Sequence, residues 1–322
     1  LFTKAQQYKA QRNTMKKYAF IFPGQGSQSV GMGKEFYENF TLAKELFDEA
    51  SEAIKVDMKD LLFTPNDNLN LTQYTQPAIF LISYIAHSIL QQEHPTMPSL
   101  AFGHSLGEVS AFVVANGAEF SSGVKLVHTR GALMAKACEG QDAGMMVVVG
   151  LEDSVLESFC QKAQSSNKKI WCANYNGDGQ IVLAGKKSDL SACESDIKAL
   201  GAKRTLLLPM SVASHCPMLE SILDEFGALL EENLSGDASV PILSNATIQT
   251  YQSKQEAKDL LSKQLITPVL YKQSILKIDS QVDGYIEFGN GNVLKGLNKR
   301  LSQKLTYNVS NLATLKETLE TL

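Results

Sequence analysis

The stretch LAFGHSLGEVSAF (residues 100–112) carries a Gly-x-Ser-x-Gly pattern at residues 103–107. An apolar run typical of a buried strand precedes the pattern, and apolar residues recur at helical spacing after it. Strand, sharp turn and helix is the setting of a nucleophile elbow, and glycines on both sides suit a turn too tight for a Cβ atom. We therefore predict that Ser105 is a nucleophile, although a five-residue match alone also fits an ordinary serine between two glycines.

The composition is that of an ordinary globular protein. The 322 residues are 44% hydrophobic, which suffices for one large core plus a smaller subdomain. The net charge of −4 and the absence of a long basic run argue against a dedicated nucleic-acid binder. The longest apolar stretch, residues 78–90, is too short to span a bilayer, which needs about 20 residues.

The cysteines indicate a reducing compartment. The five cysteines are odd in number, widely scattered and never in Cys-x-x-Cys spacing, which suggests neither a disulfide framework nor a zinc site. We therefore expect a cytoplasmic protein without a metal site.

The apolar pattern predicts a large α/β domain. Residues 18–22 are typical of a buried strand, and an amphipathic helical stretch follows the glycine-rich loop behind them. A core helix is expected to open at Pro77, since proline suits the first turn of a helix, and a final helix is expected from Val293. Residues 1–14 are polar and unpatterned, so we treat them as an N-terminal extension or an expression scar outside the fold.

The middle of the chain has a different order of elements. Residues 140–210 read as strand, helix, strand, strand, helix, strand, which is the order of a ferredoxin-like unit. We therefore predict a small ferredoxin-like subdomain at 140–210. It is inserted into a larger α/β domain, made of residues 15–139 and 211–322, with a mostly parallel sheet.

A serine hydroxyl needs a base before it can act as a nucleophile. The candidate bases are His87, His94, His104, His128 and His215. His104 is next to Ser105 and is expected to point away across the turn. His87 lies within a predicted core helix, His94 follows that helix, and His128 lies on another predicted helix. His215 lies between a strand and a helix, where catalytic groups of α/β folds collect. From the residues alone, a structural and a catalytic role for His215 both stay open.

Six blocks of sequence resemble the malonyl-CoA:acyl-carrier-protein transacylases of type II fatty-acid synthesis. The blocks are FPGQGSQ (22–28), GHSLGE (103–108), HTRGALM (128–134), SVASHCPM (211–218), QLITPV (264–269) and EFGNG (287–291). The resemblance covers the chain from Met15 onward. The family usually has Pro where this chain has Asn290, but Asn-Gly tolerates a tight turn as well as Pro-Gly does.

The resemblance implies an α/β-hydrolase-like large domain and a Ser–His mechanism. Ser105 would attack the thioester carbonyl of malonyl-CoA, and His215 would take its proton and later return it to the departing thiol. In place of a carboxylate, a main-chain carbonyl near Gln264 would orient the imidazole. The backbone N–H groups of Gln25 and Leu106 would hold the oxyanion.

Substrate recognition is also implied by the resemblance. The planar guanidinium of Arg130 would bind the free carboxylate of the malonyl group in bidentate fashion. Gln76, Asn174 and Asn176 match positions that line the cleft in the family, although each also fits a turn or a helix cap. No bound cofactor is implied, because coenzyme A arrives as the substrate thioester and the acceptor protein carries the phosphopantetheine.

The implied partner is an acyl carrier protein, which is acidic in this family. A basic docking patch is therefore expected, and two sets of residues could form it: Lys295, Lys299 and Arg300 on the predicted final helix, or Lys186 and Lys187 on the subdomain. Each set also fits a solvated face. We expect the chain to act as a monomer, with neither nucleic acid nor membrane as a partner.

Three alternative functions stay open. Residues 212–215 lie between the sequences of malonyl- and methylmalonyl-selective transferases, so the chain could be a methylmalonyl-type polyketide acyltransferase. It could also be a serine thioesterase or hydrolase, whose triad needs an acid between Ser105 and His215. The aspartates in that interval are Asp142, Asp153, Asp178, Asp189 and Asp196, all within the predicted subdomain. The third alternative is a catalytically silent subunit that binds the carrier.

Overall fold

Two β-sheets organise the chain in the computed structural model, which describes residues 16–322. The extension expected at residues 1–14 lies outside the described residues. The strands are β1 (Tyr18–Phe22), β2 (Leu100–Gly103), β3 (Ala143–Val149), β4 (Ile170–Gly177), β5 (Gln180–Lys186), β6 (Arg204–Leu207), β7 (Ile242–Leu243), β8 (Thr250–Tyr251), β9 (Gly284–Phe288) and β10 (Thr306–Val309).

Helices cover both sheets. They are α1 (Lys34–Asn39), α2 (Thr41–Ile54), α3 (Met58–Phe63), α4 (Thr72–Glu93), α5 (Leu106–Phe112), α6 (Phe120–Cys138), α7 (Asp153–Ser165), α8 (Lys187–Ala199), α9 (Leu223–Asn233), α10 (Lys254–Ile266), α11 (Tyr271–Ile278), α12 (Val293–Leu301) and α13 (Leu312–Leu319). Short 3-10 helices lie at Asn68–Asn70, Pro217–Ile222 and Asp279–Gln281, and a π-helical turn lies at Val113–Gly117.

The large sheet is mostly parallel. Its strand order is β10-β9-β1-β2-β7-β8, and only the β7–β8 pair is antiparallel. In β1, Phe20 and Phe22 pack into the core on one face, whereas Ala19 and Ile21 pack into the core on the other. A strand buried on both faces needs an apolar run without alternation. This explains the sequence of β1 and confirms the predicted α/β fold.

The small sheet is antiparallel, with the strand order β4-β5-β3-β6. Helices α7 and α8 pack against it and close a separate apolar core, which includes Met146, Leu183 and Leu190. The sheet is joined to the large domain by backbone hydrogen bonds between β4 and Val269, at 2.8 and 2.9 Å. This junction brings the end of β4 close to the end of α10.

The prediction that a helix opens at Pro77 was wrong, because α4 begins at Thr72 and Pro77 lies inside it. Proline has no N–H, so it cannot donate to the carbonyl of Gln73, four residues earlier. That carbonyl instead accepts a 2.8 Å hydrogen bond from His128 Nδ1. A side chain of α6 therefore replaces the missing donor and removes the reason for α4 to start later.

The prediction of a final helix from Val293 was right about where the helix begins but wrong about its being the final one. Helix α12 does begin at Val293, but it ends at Leu301 and is followed by strand β10 and helix α13. Strand β10 pairs in parallel with β9 and extends the large sheet at its edge. The basic residues predicted for the final helix are thus on the helix that precedes an edge strand.

The close approach of two backbones at Gly107 supports a stability prediction. A Cβ atom added there would lie 1.9 Å from the carbonyl oxygen of Phe22 and 2.7 Å from its carbonyl carbon. Because the Phe22 backbone belongs to a central strand, it cannot turn away. We expect Gly107→Ala to lower the free energy of unfolding by about 3 kcal/mol, near the upper end for an overpacked site, as measured by urea denaturation.

Gly227→Ala is the matched control for Gly107→Ala. Gly227 lies within α9, where an added Cβ meets no atom within 4 Å in the described part of the chain outside its own helix. The control is expected to be neutral or to stabilise the protein by up to about 1 kcal/mol, because alanine favours a helix over glycine. Equal losses in the two variants would contradict the close approach at Gly107.

Candidate active site

Ser105 stands at the turn between β2 and α5. Its backbone angles, φ 55° and ψ −107°, are strained for a residue with a side chain, as expected of an elbow that presents a functional group. The side chain of Asn245 supports the turn on both sides: Oδ1 accepts from the Ser105 N–H at 2.7 Å, and Nδ2 donates to the Gly103 carbonyl at 2.7 Å. The elbow is therefore held rigidly, with Ser105 half-buried.

His215 contacts the Ser105 hydroxyl. Its Nε2 lies 2.7 Å from Ser105 Oγ, and its Nδ1 lies 2.7 Å from the main-chain carbonyl of Gln264. A carbonyl only accepts hydrogen bonds, so Nδ1 carries the proton and Nε2 is free to accept one from the serine. Burial, opposed by the hydrogen bond to Gln264 and assisted by the charge of Arg130, lowers the pKa of His215 to about 3. The ring is thus a neutral base at neutral pH.

Arg130 is buried on α6, beside the same hydroxyl. Its Nη2 donates to Ser105 Oγ at 3.3 Å and to Gln264 Oε1 at 3.0 Å, and its Nη1 donates to Gln76 Oε1 at 2.8 Å. Nε is buried and has no hydrogen-bond partner among residues 16–322. Burial lowers the pKa of Arg130 to about 10, opposed by the charge of Glu108, so the group remains a cation at neutral pH.

The electrostatic character of this cation is unusual. Within the described residues, no carboxylate lies within 4 Å of the Arg130 guanidinium. A buried charge is normally paired, yet here the direct partners are a serine hydroxyl and two neutral amides. The site therefore has one positive charge that is suited to an anionic ligand.

The loop after β1 packs directly against the elbow. The His104 N–H donates to the Phe22 carbonyl at 3.0 Å, and a Cβ added to Gly24 would lie 2.4 Å from the His104 carbonyl oxygen. The backbone N–H groups of Gln25, in this loop, and of Leu106, at the first position of α5, donate to no acceptor in the described structure. Two free donors thus lie in segments that meet beside Ser105.

The remaining residues predicted to line the site differ in their contacts. Gln76 lies within α4 and binds Arg130 directly. Asn176, at the end of β4, accepts a 2.7 Å hydrogen bond at Oδ1 from His104 Nε2, so it connects the small sheet to the elbow. Asn174 is buried on the same strand, but no hydrogen bond joins its side chain to a site residue within 16–322.

The structure adds three residues that the sequence reasoning did not select, namely Glu108, Asn245 and Tyr251. The Glu108 carboxylate is fully buried under the elbow and accepts from the Asn245 N–H at 2.9 Å, from Gln264 Nε2 at 2.7 Å and from the Tyr251 hydroxyl at 2.9 Å. Burial raises its pKa to about 7, while these donors and the charge of Arg130 act in the opposite direction. The only sign in the sequence that could have pointed to this group was a glutamate among the apolar residues of α5.

The two basic sets proposed for docking lie in different surroundings. Lys299 and Arg300 are exposed in the last turn of α12, whereas Lys295 Nζ binds Asn308. Lys186 and Lys187 are half-buried at the start of α8. Lys187 borders a cleft of about 740 Å³ between the small sheet, α6 and the start of α4.

Metal centres and membrane-spanning helices are two classes of site that the sequence did not favour. No group of three or more histidine, cysteine, aspartate or glutamate side chains between residues 16 and 322 is arranged to hold a metal ion. In the same part of the chain, no helix combines the length and the apolar character that a membrane crossing requires.

Comparison with known proteins gives a consistent result. Residues 19–306 match the family model for the acyl transferase domain. The malonyl CoA-acyl carrier protein transacylase of Salmonella typhimurium is 37% identical over 299 residues, which are 92% of this chain and 96% of that protein. The crystal structure of malonyl-CoA:acyl carrier protein transacylase from Helicobacter pylori has a TM-score of 0.93 at 50% identity, covering 95% of this chain and 98% of that one.

A further solved structure shows a relative with a partner. It is a malonyl-transacylase in complex with a type II PKS acyl-carrier protein, and it matches with a TM-score of 0.91 and 34% identity over 95% of this chain and 100% of that one. The likeness thus extends over nearly the full length of both proteins in each comparison. The chain belongs to the malonyl-CoA:acyl-carrier-protein transacylase family of acyl transferases.

Proposed function

We propose that the protein transfers a malonyl group from malonyl-CoA to the phosphopantetheine thiol of acyl carrier protein, and so supplies fatty-acid elongation. The observation that carries this proposal is the buried Arg130 cation, which has no carboxylate within 4 Å among residues 16–322 and whose Nη2 lies 3.3 Å from the hydroxyl of Ser105. An esterase of neutral substrates has no use for an unpaired cation beside its nucleophile. A malonyl thioester offers a carboxylate and a reactive carbonyl a short distance apart.

The first half of the reaction forms a malonyl ester on the elbow. As Ser105 Oγ attacks the thioester carbonyl carbon, its proton passes to His215 Nε2, and the carbonyl oxygen becomes an oxyanion. When this intermediate collapses, the carbon–sulfur bond breaks and the coenzyme A thiolate takes the proton from His215. The 2.7 Å contact between Oγ and Nε2 is within the range that direct proton transfer requires.

The second half repeats these steps in reverse with a new thiol. His215 takes the proton of the phosphopantetheine thiol, the sulfur attacks the ester carbonyl, and the proton returns to Ser105 Oγ as the malonyl thioester leaves. Because the acyl group waits on the protein between two substrates, the kinetics are ping-pong. The reaction needs no resident cofactor, since the serine carries the acyl group and the acceptor brings its own phosphopantetheine.

The backbone N–H groups of Gln25 and Leu106 are the proposed donors to the oxyanion. Both are without another acceptor in the described structure, and the Leu106 N–H opens α5, where the helix dipole also favours negative charge. Removing one donor of this type typically slows a reaction by about 10²–10³-fold. Gln264 is proposed to act twice, with its main-chain carbonyl orienting His215 and its side chain supporting Arg130.

The partner is proposed to dock at one of the two basic sets. Lys187 borders the cleft beside α6, although Ser105, His215 and Arg130 do not line that cleft. Lys299 and Arg300 have the advantage of exposure, and Lys295 is the least free of that set because it binds Asn308. In either case a monomer would suffice, since every residue of the proposed mechanism comes from one chain.

We also propose a domain division and a fold type for each of the two domains. Residues 15–139 and 211–322 would form an α/β-hydrolase-like catalytic domain, and residues 140–210 an inserted ferredoxin-like subdomain. The antiparallel order β4-β5-β3-β6 supports a ferredoxin-like subdomain. Its first strand in the chain, β3, is central in the sheet, and its last strand, β6, is at the edge. The free state of all five cysteines supports a reducing, cytoplasmic location.

Two alternatives are less well supported. A hydrolase triad needs a carboxylate on His215, but Nδ1 binds the Gln264 carbonyl instead. Of the five candidate aspartates, Asp153 and Asp178 bind Lys272, and Asp142 and Asp189 accept backbone N–H groups within the small subdomain. A methylmalonyl-type transferase would use the same dyad and the same arginine, so it differs only in the space left for one methyl group.

Intact-mass analysis of the protein mixed with malonyl-CoA tests the proposed function. We expect a covalent malonyl adduct that maps to Ser105 and disappears when acyl carrier protein is added. Ser105→Ala is the control and should form no adduct. A silent carrier-binding subunit would form none in the wild type either, and a thioesterase would release malonate into water without needing the carrier.

A further inference from the structure

The buried carboxylate of Glu108 is not used in the mechanism above, yet it lies one hydrogen bond away from two of its parts. Its three donors come from three different segments: the Asn245 N–H, the Gln264 side chain and the Tyr251 hydroxyl. Asn245 holds the backbone on both sides of Ser105. Gln264 provides the acceptor for His215 and a partner for Arg130. Glu108 is therefore the common acceptor beneath the site.

The charges around Gln264 permit one orientation of its amide. Oε1 faces the Arg130 cation at 3.0 Å, and Nε2 faces the Glu108 carboxylate at 2.7 Å. Turning the amide by 180° would place its N–H groups against the guanidinium and its oxygen against the carboxylate. Both contacts would become repulsive. The same Nε2 also donates to the Ser105 carbonyl at 3.0 Å, which adds a third reason for the observed orientation.

The position of Arg130 depends on this amide. The guanidinium has three partners, and two of them are the side-chain oxygens of Gln76 and Gln264. If Gln264 turned or withdrew, Arg130 would keep Gln76 but lose the contact that directs Nη2 towards the elbow. A carboxylate that must meet both this group and the attacking hydroxyl would then be held less accurately.

We propose that Glu108 is a positioning residue for substrate selectivity, which acts by fixing the Gln264 amide so that Arg130 faces Ser105. The proposal rests on the malonyl transfer proposed above. Glu108 touches neither the substrate nor the reacting atoms, and its effect is transmitted through the hydrogen bond to Gln264 Nε2. The groups that face it are Arg130, Tyr251, Asn245 and Gln264, of which Arg130 is the only cation within the described set.

The test compares acylation of Ser105 by malonyl-CoA and by acetyl-CoA, followed by intact mass under single-turnover conditions. The measured quantity is the ratio of the two acylation rate constants, which does not depend on how much of the protein is correctly folded. Glu108→Leu keeps a similar volume but removes the acceptor from Gln264 Nε2. We expect the malonyl-to-acetyl ratio to fall about tenfold or more, since small misplacements of positioning groups have effects of this size.

Glu108→Gln is the conservative variant. Its amide oxygen can take the place of Oε2 and accept from both Asn245 and Gln264, while its NH₂ group faces the Tyr251 hydroxyl, which can turn to accept. We expect its ratio to stay within about twofold of the wild type. A rescue by glutamine would show that the hydrogen bonds, rather than the apolar volume, carry the effect.

Glu287→Leu is the matched control for a purely structural role. Glu287 is also fully buried, burial raises its pKa to about 7 as well, and it accepts from two backbone N–H groups, those of Leu294 and Lys295. It makes no contact with Gln264. Its loss should lower the thermal stability in the same way as the loss of Glu108, but leave the malonyl-to-acetyl ratio unchanged.

The outcomes separate the two proposals. A wild type that forms no malonyl adduct overturns the proposed function and the inference together. A wild type that is acylated, with the same ratio in Glu108→Leu, overturns the inference alone. If Glu108→Leu does not fold, Glu108→Asp replaces it. Aspartate keeps the charge but is one methylene too short to reach all three donors. An unchanged malonyl-to-acetyl ratio in Glu108→Asp overturns the inference as well.

Discussion

Replacing His215 by alanine is expected to lower the rate of malonyl transfer by about 10²–10⁴-fold, the range for loss of a general base. Without the imidazole, the Ser105 hydroxyl keeps only Arg130 Nη2 as a hydrogen-bond partner among the described residues, and a guanidinium cannot accept a proton. The measurement is the rate of malonyl adduct formation on Ser105 by rapid quench and intact mass. Malonyl-CoA binding should change much less, because the proposed contact to the carboxylate comes from Arg130.

His94→Ala is the control for this prediction. His94 follows α4, and among the described residues its ring hydrogen-bonds only to the side chain of Thr96, so its loss should leave acylation unchanged. A loss below tenfold in His215→Ala would mean that another base accepts the serine proton.

Much of this dyad could be predicted from the sequence, for a physical reason. The elbow is a local structure, so the apolar strand, the two glycines and the helical spacing around Ser105 predict it without knowledge of distant residues. Among the five histidines, His215 was set apart by its place between a strand and a helix, but its catalytic role stayed open until the family resemblance implied it. The family resemblance then implied the Gln264 carbonyl, and the structure has that carbonyl 2.7 Å from Nδ1.

The support beneath the site could not be predicted in this way. Tyr251 lies on β8, a strand of two residues with no apolar run to reveal it, and Asn245 follows another two-residue strand, β7. Both reach Glu108 only because the sheet brings β2, β7 and β8 side by side. Such contacts depend on the register of distant strands, which no local pattern encodes. The start of α4 was missed for the same reason, since the donor that compensates for Pro77 comes from α6.

Replacing Arg130 by alanine is expected to lower the acylation rate constant for malonyl-CoA by about 30- to 5,000-fold, which corresponds to the 2–5 kcal/mol typical of breaking a buried hydrogen-bonded charge pair. Two opposite charges about 4 Å apart attract by about 4 kcal/mol at an effective dielectric near 20, before desolvation is subtracted. Acetyl-CoA has no carboxylate, so its rate should change little, and the preference for malonyl over acetyl should be lost. The two rates are measured on the same preparation.

Arg130→Lys and Arg300→Ala complete the test. Lysine keeps the charge but not the planar fork, and it cannot donate to Gln76, Gln264 and a carboxylate together, so an intermediate loss of selectivity is expected. Arg300 is exposed in the last turn of α12, and its loss should not affect acylation by either thioester. If Arg130→Ala slowed acetyl and malonyl transfer equally, the arginine would be supporting the Ser105–His215 pair rather than the substrate carboxylate. The buried cation would then need another explanation, because its neutral partners alone do not account for a charge at that depth.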